Sequence, residues 1–223
     1  MSLPKETAKR ARWYDDASGL AAAMEVFGER WAAAIMRELL LGPMRFSELR
    51  DALPDLSAKV LTERLVSLAQ FEVVERQEDA IVSRHTRGYV LTSRGHDAAQ
   101  PLLSLERWGM AAKRPARLPL SATGFLFGMK ASLDVMAARA FGPASIGFLI
   151  GGNSFAAELR DGELTLRRGL PNDVMAVFEA PDARALQRMM RETKQISALP
   201  RSGPVTLTGQ KLLALRFAAL TDV

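Results

Sequence analysis

Residues 45–65 most strongly limit the folds open to this chain. Apolar residues recur there at helical spacing on both sides of Pro54-Asp55, which predicts two short amphipathic helices joined by a tight turn. Ser57 suits the N-cap of the second helix because its hydroxyl can accept a free backbone N–H. Two strand-like runs follow, at 73–76 and 89–91, with a polar loop between them. The segment therefore predicts a helix–turn–helix followed by a β-hairpin.

Further helices are predicted on both sides of this motif. A first helix begins near Ser18, and a second carries an apolar stripe that ends at Gly42-Pro43. After the hairpin, a long helix is expected over residues 93–112, with a kink or break at Pro101. Residues 18–113 are accordingly predicted to form a mainly α-helical winged helix-turn-helix domain, preceded by a polar arm at 1–17.

The second half of the chain has a different pattern. Residues 114–121 contain two prolines and predict a linker. Residues 122–223 predict an α+β domain with a mostly antiparallel sheet covered by helices, in which Asp161-Gly162 forms a hairpin turn. The expected elements are a helix at 123–141, strands at 146–150, 154–159, 163–168, 174–178 and 205–207, and helices at 181–194 and 210–219. The fold class is therefore two domains in series.

Composition excludes several classes of function. The chain has no cysteine, which rules out disulfides, thiolate metal ligands and thiol-based redox sensing. His85 and His96 lie in different elements, so no metal site is expected. The glycines between 142 and 152 match neither a phosphate-binding loop nor a dinucleotide fingerprint. No cofactor is expected, and the protein is predicted not to be an enzyme.

Charge and hydropathy bear on partners and location. The net charge of +5 permits an anionic partner. Because most of the positive excess lies in residues 115–223, any DNA affinity of the first half must come from where its charges are placed. The N-terminus lacks the apolar core of a secretory signal, and no run approaches the roughly 18 apolar residues that cross a bilayer. The expectation is a cytoplasmic protein without membrane insertion.

The second helix of the motif carries the main candidates for DNA recognition. An α-helix fits the major groove of B-DNA, and the side chains in its N-terminal half read base edges. Ser57, Lys59 and Thr62 are placed for this role, and Arg64 is a candidate phosphate contact. Glu63 is expected to pair with Lys59 rather than to contact a base.

The flanking elements supply further candidates. Arg45 and Ser47 begin the preceding helix, where free backbone N–H groups also favour a phosphate. Arg84, His85 and Arg87 lie in the hairpin loop and can reach the DNA backbone or the minor groove. The alternative for each of these side chains is an ordinary solvated surface group.

Residues from about 20 to 112 resemble the HxlR-type winged-helix regulators, a bacterial family close to the MarR group. The resemblance rests on matches spread over the whole domain, at 28–31, 35–39, 42–43, 45–49, 56–65, Tyr89, 91–92 and Gly95. It implies a homodimer that binds double-stranded DNA, with the first and last helices of the domain pairing two subunits. Many members have a cysteine near the N-terminus, and some use cysteine to sense oxidants or electrophiles. Since this chain has none, its signal must be non-covalent or act on a group other than a thiol.

Residues from about 122 to 221 resemble the sterol carrier protein type of lipid-binding domain. The matching residues are 163–169, 173–174, Phe178, Asp182, 185–186 and 203–210. The resemblance implies a sheet covered by helices around an apolar tunnel for lipid-like molecules. The candidates for lining such a pocket are Phe125, Met129, Phe148, Phe178, Met189 and Leu213.

Three interpretations of the second domain stay open at this point. It binds a small apolar effector that changes DNA binding, or it is a dimerisation or docking module with a filled core, or it has an activity that no motif indicates. For the whole protein, the leading hypothesis is a homodimeric, sequence-specific transcriptional regulator. The alternative is a lipid-binding protein that uses the winged helix only for dimerisation.

Overall fold

The computed structural model describes residues 14–77, 88–112, 115, 118–196 and 203–223. These residues form ten helices and seven strands around two adjoining hydrophobic cores. No helix within these ranges is both long and apolar enough to cross a membrane.

The N-terminal half is a winged helix-turn-helix, as the sequence predicts. Two strands, β1 and β2, pair antiparallel, with Val74 opposite Leu91. The first core lies between the helices and this hairpin, and Ile35, Met36 and Leu61 are fully buried in it. The elements in chain order are α1 (Gly19–Phe27), α2 (Ala32–Leu39), α3 (Phe46–Ala52), α4 (Ala58–Gln70), β1 (Val74–Gln77), β2 (Gly88–Leu91), α5 (Ser93–Asp97) and α6 (Ala99–Met110).

The long helix expected after the hairpin is divided, but not at Pro101. It ends at Asp97 and resumes at Ala99, so Pro101 lies in the first turn of α6. Proline has no N–H, and its ring collides with the carbonyl four residues earlier, which here is that of Asp97. The break therefore falls before the proline, and Pro101 occupies a position where no intrahelical donor is needed.

The C-terminal half contains the expected helices and strands. One expected helix, 123–141, is split, because the chain turns at Ser132 and Asp134 caps a new helix by accepting the N–H of Ala137 at 3.0 Å. The elements are α7 (Ala122–Ala131), α8 (Val135–Phe141), β3 (Ala144–Ile150), β4 (Asn153–Arg160), β5 (Glu163–Arg168), β6 (Ala176–Ala180), α9 (Ala183–Ile196), β7 (Thr206–Gly209) and α10 (Lys211–Ala218).

The sheet of this half is mixed, which corrects the expectation of a mostly antiparallel sheet. Its strand order is β5-β4-β3-β6-β7, and β6 runs parallel to β3, with Phe148 opposite Phe178. The chain does not fold back from β5 into a neighbouring strand. The segment between β5 and β6 instead passes over Gly147 of β3. A Cβ added to this glycine would meet the side chains of Leu170 and Val174, which belong to that segment. Strand length and alternation do not determine such a crossover.

Helix α7 joins the two cores. Phe125, Leu126 and Met129 lie in the core under the five-stranded sheet, whereas Phe127 and Ala131 lie in the helix-turn-helix core. The helix assigned from the sequence to the second domain thus packs against both halves. The division of the chain at 114–121 stays a prediction.

Candidate nucleic-acid interface

The turn between α3 and α4 is held by short local contacts. Leu56 donates its backbone N–H to the carbonyl oxygen of Leu53 at 2.9 Å, and both side chains are buried. Leu49 on α3 and Leu61 on α4 are fully buried against the same core. Because the apolar sides of both helices face inward, their polar sides face solvent.

Helix α4 presents one exposed face from its N-terminus onward. Ser57 caps the helix by accepting the N–H of Val60 at 3.3 Å, as the sequence predicts. The exposed side chains that follow at helical spacing are Lys59, Thr62, Glu63 and Val66. The Thr62 hydroxyl donates to the Ala58 carbonyl at 2.9 Å, which leaves its methyl group and its acceptor sites toward solvent.

Val66 is a member of this face that the sequence analysis did not select. Its side chain is 53% exposed, although it is apolar and lies one turn beyond Thr62. Its place on this face could have been predicted from the sequence, because Val66 follows Thr62 by four residues. It lies on the side of the helix opposite the buried Leu61, Leu65 and Leu68. Apolar side chains on such a face can contact a thymine methyl group.

The two candidates at the start of α3 are also exposed. Arg45 and Ser47 lie at the helix N-terminus, as expected. The backbone N–H of Arg45 donates to the Glu48 carboxylate at 2.6 Å, so one of the free donors at this end already has a partner. A phosphate here would meet the side chains of Arg45 and Ser47 beside that carboxylate.

Arg64 differs from the other candidates because it is tied to the protein. Its Nη1 lies 2.5 Å from the Glu29 carboxylate, and its Nε donates to the carbonyl oxygen of Arg30 at 3.0 Å. Its side chain is only 22% exposed. Sequence pattern could not predict this contact, since the partners lie more than thirty residues earlier.

The base of the hairpin is anchored to the loop before α3. Met44 and Tyr89 exchange two backbone hydrogen bonds, of 2.8 and 3.1 Å, which set the hairpin beside the helix-turn-helix. Arg84, His85 and Arg87 lie outside the described residues, so their assignment stays a prediction.

Comparisons with known proteins identify this half of the chain. The family model described as HxlR-like helix-turn-helix matches residues 26–116. An uncharacterized HTH-type transcriptional regulator of Bacillus subtilis, YvaP, is 41% identical over 87 residues, which are 39% of this chain and 79% of that protein. The chain belongs to the HxlR-like helix-turn-helix family. This confirms the family expected from the sequence.

Two further comparisons concern one relative of this HxlR-like protein. The HTH-type transcriptional regulator YodB of Bacillus subtilis is 46% identical over 55 residues, or 25% of this chain and 49% of that protein. The crystal structure of quinone-bound YodB is 32% identical, covers 42% of this chain and 97% of that chain, and has a TM-score of 0.37. The relatives are transcriptional regulators, in agreement with the prediction that this protein is not an enzyme.

The candidate ligand-binding residues of the HxlR-like protein's second half all belong to one packed core. Phe148 and Phe178 lie on adjacent strands, and their rings stack with centroids 5.5 Å apart. Leu213 packs at the edge of this core and is partly buried. The other residues, all buried, are Phe125, Met129, Phe148, Phe178 and Met189. The structure therefore brings the six residues together inside one hydrophobic core. They do not line the surface depression of about 430 Å³, whose walls are formed by Glu158, Arg160, Asp161, Glu163 and Thr165.

A buried ionic contact joins the two halves. Glu38, on α2, is 1% exposed, and its carboxylate accepts hydrogen bonds from Arg168 of β5 and, at 2.8 Å, from the Thr123 hydroxyl of α7. The backbone N–H of Arg168 also donates to the Leu41 carbonyl at 3.0 Å. The end of β5 is thus bonded to the segment that leads from α2 into the helix-turn-helix.

Lys130, on α7, has an altered acidity. Burial lowers the pKa of its ammonium below the ordinary 10.5, and the nearby Glu163 carboxylate acts in the opposite direction. Lys130 is on α7 and Glu163 is on β5, two elements that pack against each other. The shift therefore reflects packing of α7 against the sheet.

Proposed function

We propose that this HxlR-like protein is a sequence-specific transcriptional regulator that binds double-stranded DNA as a homodimer. The observation that carries the proposal is the exposed, capped N-terminal half of α4, with Lys59 and Thr62 facing solvent within a helix-turn-helix of a regulator family. Lysine and threonine can both bond to base edges in the major groove. Ser57 is proposed to join Lys59 and Thr62 in reading base edges, and Arg45 and Ser47 to contact the flanking phosphates together with Arg84 and Arg87 of the hairpin loop.

The homodimer is supported by large apolar side chains that face solvent on two helices. Trp108 and Leu105 of α6 are 80% and 48% exposed, and Leu20 of α1 is 73% exposed. Exposed apolar side chains of this size are typical of association surfaces. A two-fold dimer formed through these helices would present two α4 helices about 34 Å apart, one turn of DNA, and would favour a near-palindromic site.

The test is selection of bound sequences from random duplex DNA. The wild-type protein is expected to enrich a near-palindromic site, and Lys59→Ala and Thr62→Ala are expected to change or abolish that preference. Gln70→Ala is the matched control, because Gln70 is an exposed residue at the other end of α4. Loss of the preferred site should cost about 1–3 kcal/mol for each base pair no longer read.

Two outcomes would contradict this proposal. If the wild-type protein enriches no site at moderate salt, the alternative of a lipid-binding protein with a winged helix used only for dimerisation gains ground. If Lys59→Ala and Thr62→Ala weaken binding to specific and random DNA equally, α4 is not the reading element.

We also propose that the second half modulates DNA binding through a small apolar ligand, as its resemblance to sterol carrier domains implies. The contact of Arg168 with Glu38 supports this, because it bonds β5 to α2, the helix that leads into the helix-turn-helix. An effector acts only through its different affinities for the two arrangements, typically about 1–3 kcal/mol. The test is DNA affinity measured with and without palmitate, with Phe148→Trp as a variant whose larger side chain would compete with a ligand for the core around Phe148. The expected result is a change in affinity that Phe148→Trp abolishes.

A second candidate for this half is a docking or dimerisation module with a filled core. It is favoured by the packing of the candidate lining residues, since Phe148 and Phe178 already stack on each other. Ligand entry would have to displace side chains from this core. If palmitate neither binds nor changes DNA affinity, this second candidate replaces the ligand proposal.

A further inference from the structure

Arg64 lies on the recognition helix but does not face outward with its neighbours. Thr62 and Glu63 are exposed, whereas the Arg64 side chain turns toward the protein and is 22% exposed. Both of its contacts are made with one short segment, the turn between α1 and α2. The guanidinium therefore connects the middle of α4 to an element that precedes the helix-turn-helix.

The segment that Arg64 contacts has an unusual backbone. Trp31 adopts the left-handed conformation, with φ of 77°, which is rare for a large side chain. The carbonyl that accepts from Arg64 is that of Arg30, in the peptide bond to Trp31. The Arg30 guanidinium also lies over the Trp31 ring, 5.4 Å from its centre. Such a conformation persists when neighbouring contacts hold it in place.

These two contacts restrain α4 in a way that its apolar contacts do not. Leu61, Leu65 and Leu68 bury the inner side of the helix, but hydrophobic contact is non-directional. The ion pair to Glu29 and the hydrogen bond to Arg30 are directional, and a planar guanidinium makes both at once. They add a directional restraint on the rotation of α4 about its axis, and so on the direction in which Lys59 and Thr62 point.

We infer that Arg64 is a positioning residue for DNA reading, which acts through Glu29 and Arg30, and that it does not bind a phosphate. The inference rests on the proposed DNA-binding function and refines the roles within that site. It assigns Glu29 a function as well. A carboxylate near DNA normally weakens binding, but here it is required to orient the recognition helix.

The test compares Arg64→Lys, Arg64→Ala and Glu29→Gln in the full chain, on the duplex site that the wild-type protein selects and on random duplex, over a range of salt concentrations. A lysine keeps the charge and serves well as a phosphate contact, but its single nitrogen lacks the planar geometry in which Nε and Nη1 of the guanidinium reach two separate acceptors. Glu29→Gln keeps the shape of the partner, removes its charge and replaces one acceptor oxygen with an N–H donor group. Arg188→Lys is the matched control, because Arg188 is an exposed arginine of α9.

We expect all three variants to weaken binding to the selected site by about tenfold, the effect of one mismatched base pair, with little change on random DNA or in the salt dependence. The Glu29→Gln/Arg64→Lys double variant should be no weaker than either single one, because the two residues form one contact. Thermal unfolding of each variant establishes that it is folded. If Arg64→Ala does not fold, the isosteric Glu29→Gln still decides the question.

The opposite pattern would overturn the inference. A phosphate contact predicts that Arg64→Lys binds almost normally, that Arg64→Ala weakens specific and random DNA alike and lowers the salt slope by about one, and that Glu29→Gln tightens binding. If the wild-type protein selects no site, the proposed function fails and this role fails with it. If the wild type selects a site that all three variants read normally, only the role of Arg64 is wrong.

Discussion

At the scale of single residues, the side-chain contacts of this protein span very different distances along the chain. Ser57 is recognisable as a cap because its partner, the N–H of Val60, lies three residues away. The partners of Arg64 lie more than thirty residues away, and Arg168 lies 130 residues from Glu38. Propensity and periodicity carry no information about such pairs, so neither the buried Glu38 nor the internal role of Arg64 could be predicted.

Glu38 and Arg168 should matter to stability far more than their position between two halves suggests. We expect Arg168→Met to lower the free energy of unfolding by about 3 kcal/mol, because it leaves a buried carboxylate without its main counter-charge. The adjacent Arg167→Met is the matched control. Arg167 pairs with Glu158 at 2.5 Å and is 48% exposed, so its loss should cost about 1 kcal/mol or less.

Urea unfolding monitored by circular dichroism measures both variants. The Glu38→Gln/Arg168→Met double variant should recover part of the loss, since it removes the buried charge as well. Equal losses for Arg167→Met and Arg168→Met would show that the contact between the halves contributes no more than a surface pair.

At the scale of helices and strands, the sequence correctly predicts that most elements exist and whether each is a helix or a strand. The Asp161-Gly162 hairpin appears with both residues at positive φ, 52° and 81°, as that turn requires. The position of a break inside a helical stretch is harder to predict, because it depends on where the backbone can avoid the clash between the proline ring and the preceding carbonyl. The α5–α6 break shows this, since Pro101 ends α5 from inside the next helix.

Two glycines within helices allow the effect of packing on stability to be compared with the effect of intrinsic helix propensity. A Cβ on Gly95 of α5 would overlap the Val73 carbonyl and approach Leu91 to 3.0 Å, whereas a Cβ on Gly109 of α6 meets nothing within 4 Å. We expect Gly95→Ala to destabilise the protein by about 1–3 kcal/mol, because α5 would have to move away from the hairpin. Gly109→Ala should be neutral or stabilising by up to about 1 kcal/mol.

Thermal denaturation of the two variants at one protein concentration checks this pair. A loss of stability in Gly109→Ala as large as that in Gly95→Ala would contradict the packing argument. Since α5 lies against the base of the hairpin, Gly95→Ala should also increase amide exchange in β2.

At the scale of the whole molecule, the sequence predicts two parts but not how they meet. Which strand pairs with β3, and which surface of the winged helix contacts the sheet, depend on long-range contacts. Arg168 to Leu41 and the placement of α7 between both cores are of this kind. Alternation and spacing along one chain are local properties, so they leave these contacts undetermined.

The surface through which two subunits associate distinguishes dimerisation through the winged helix from dimerisation through the second half. If subunits pair through the winged helix, Trp108, 80% exposed on α6, should become buried in the dimer. We expect Trp108→Asp to weaken dimerisation by more than about a hundredfold, because two-fold symmetry counts each lost contact twice. DNA binding should fall with it, since a monomer presents only one recognition helix.

Light scattering over a concentration series measures the dimer, and the same samples are titrated with the selected DNA. Leu212→Asp is the matched control, because Leu212 is 73% exposed on α10 in the other half. A protein in which Leu212→Asp dissociates while Trp108→Asp remains dimeric would be held together by its second half. In that case the Arg168–Glu38 contact within each subunit would connect its winged helix to the dimer interface. The second half would then set the spacing of the two α4 helices.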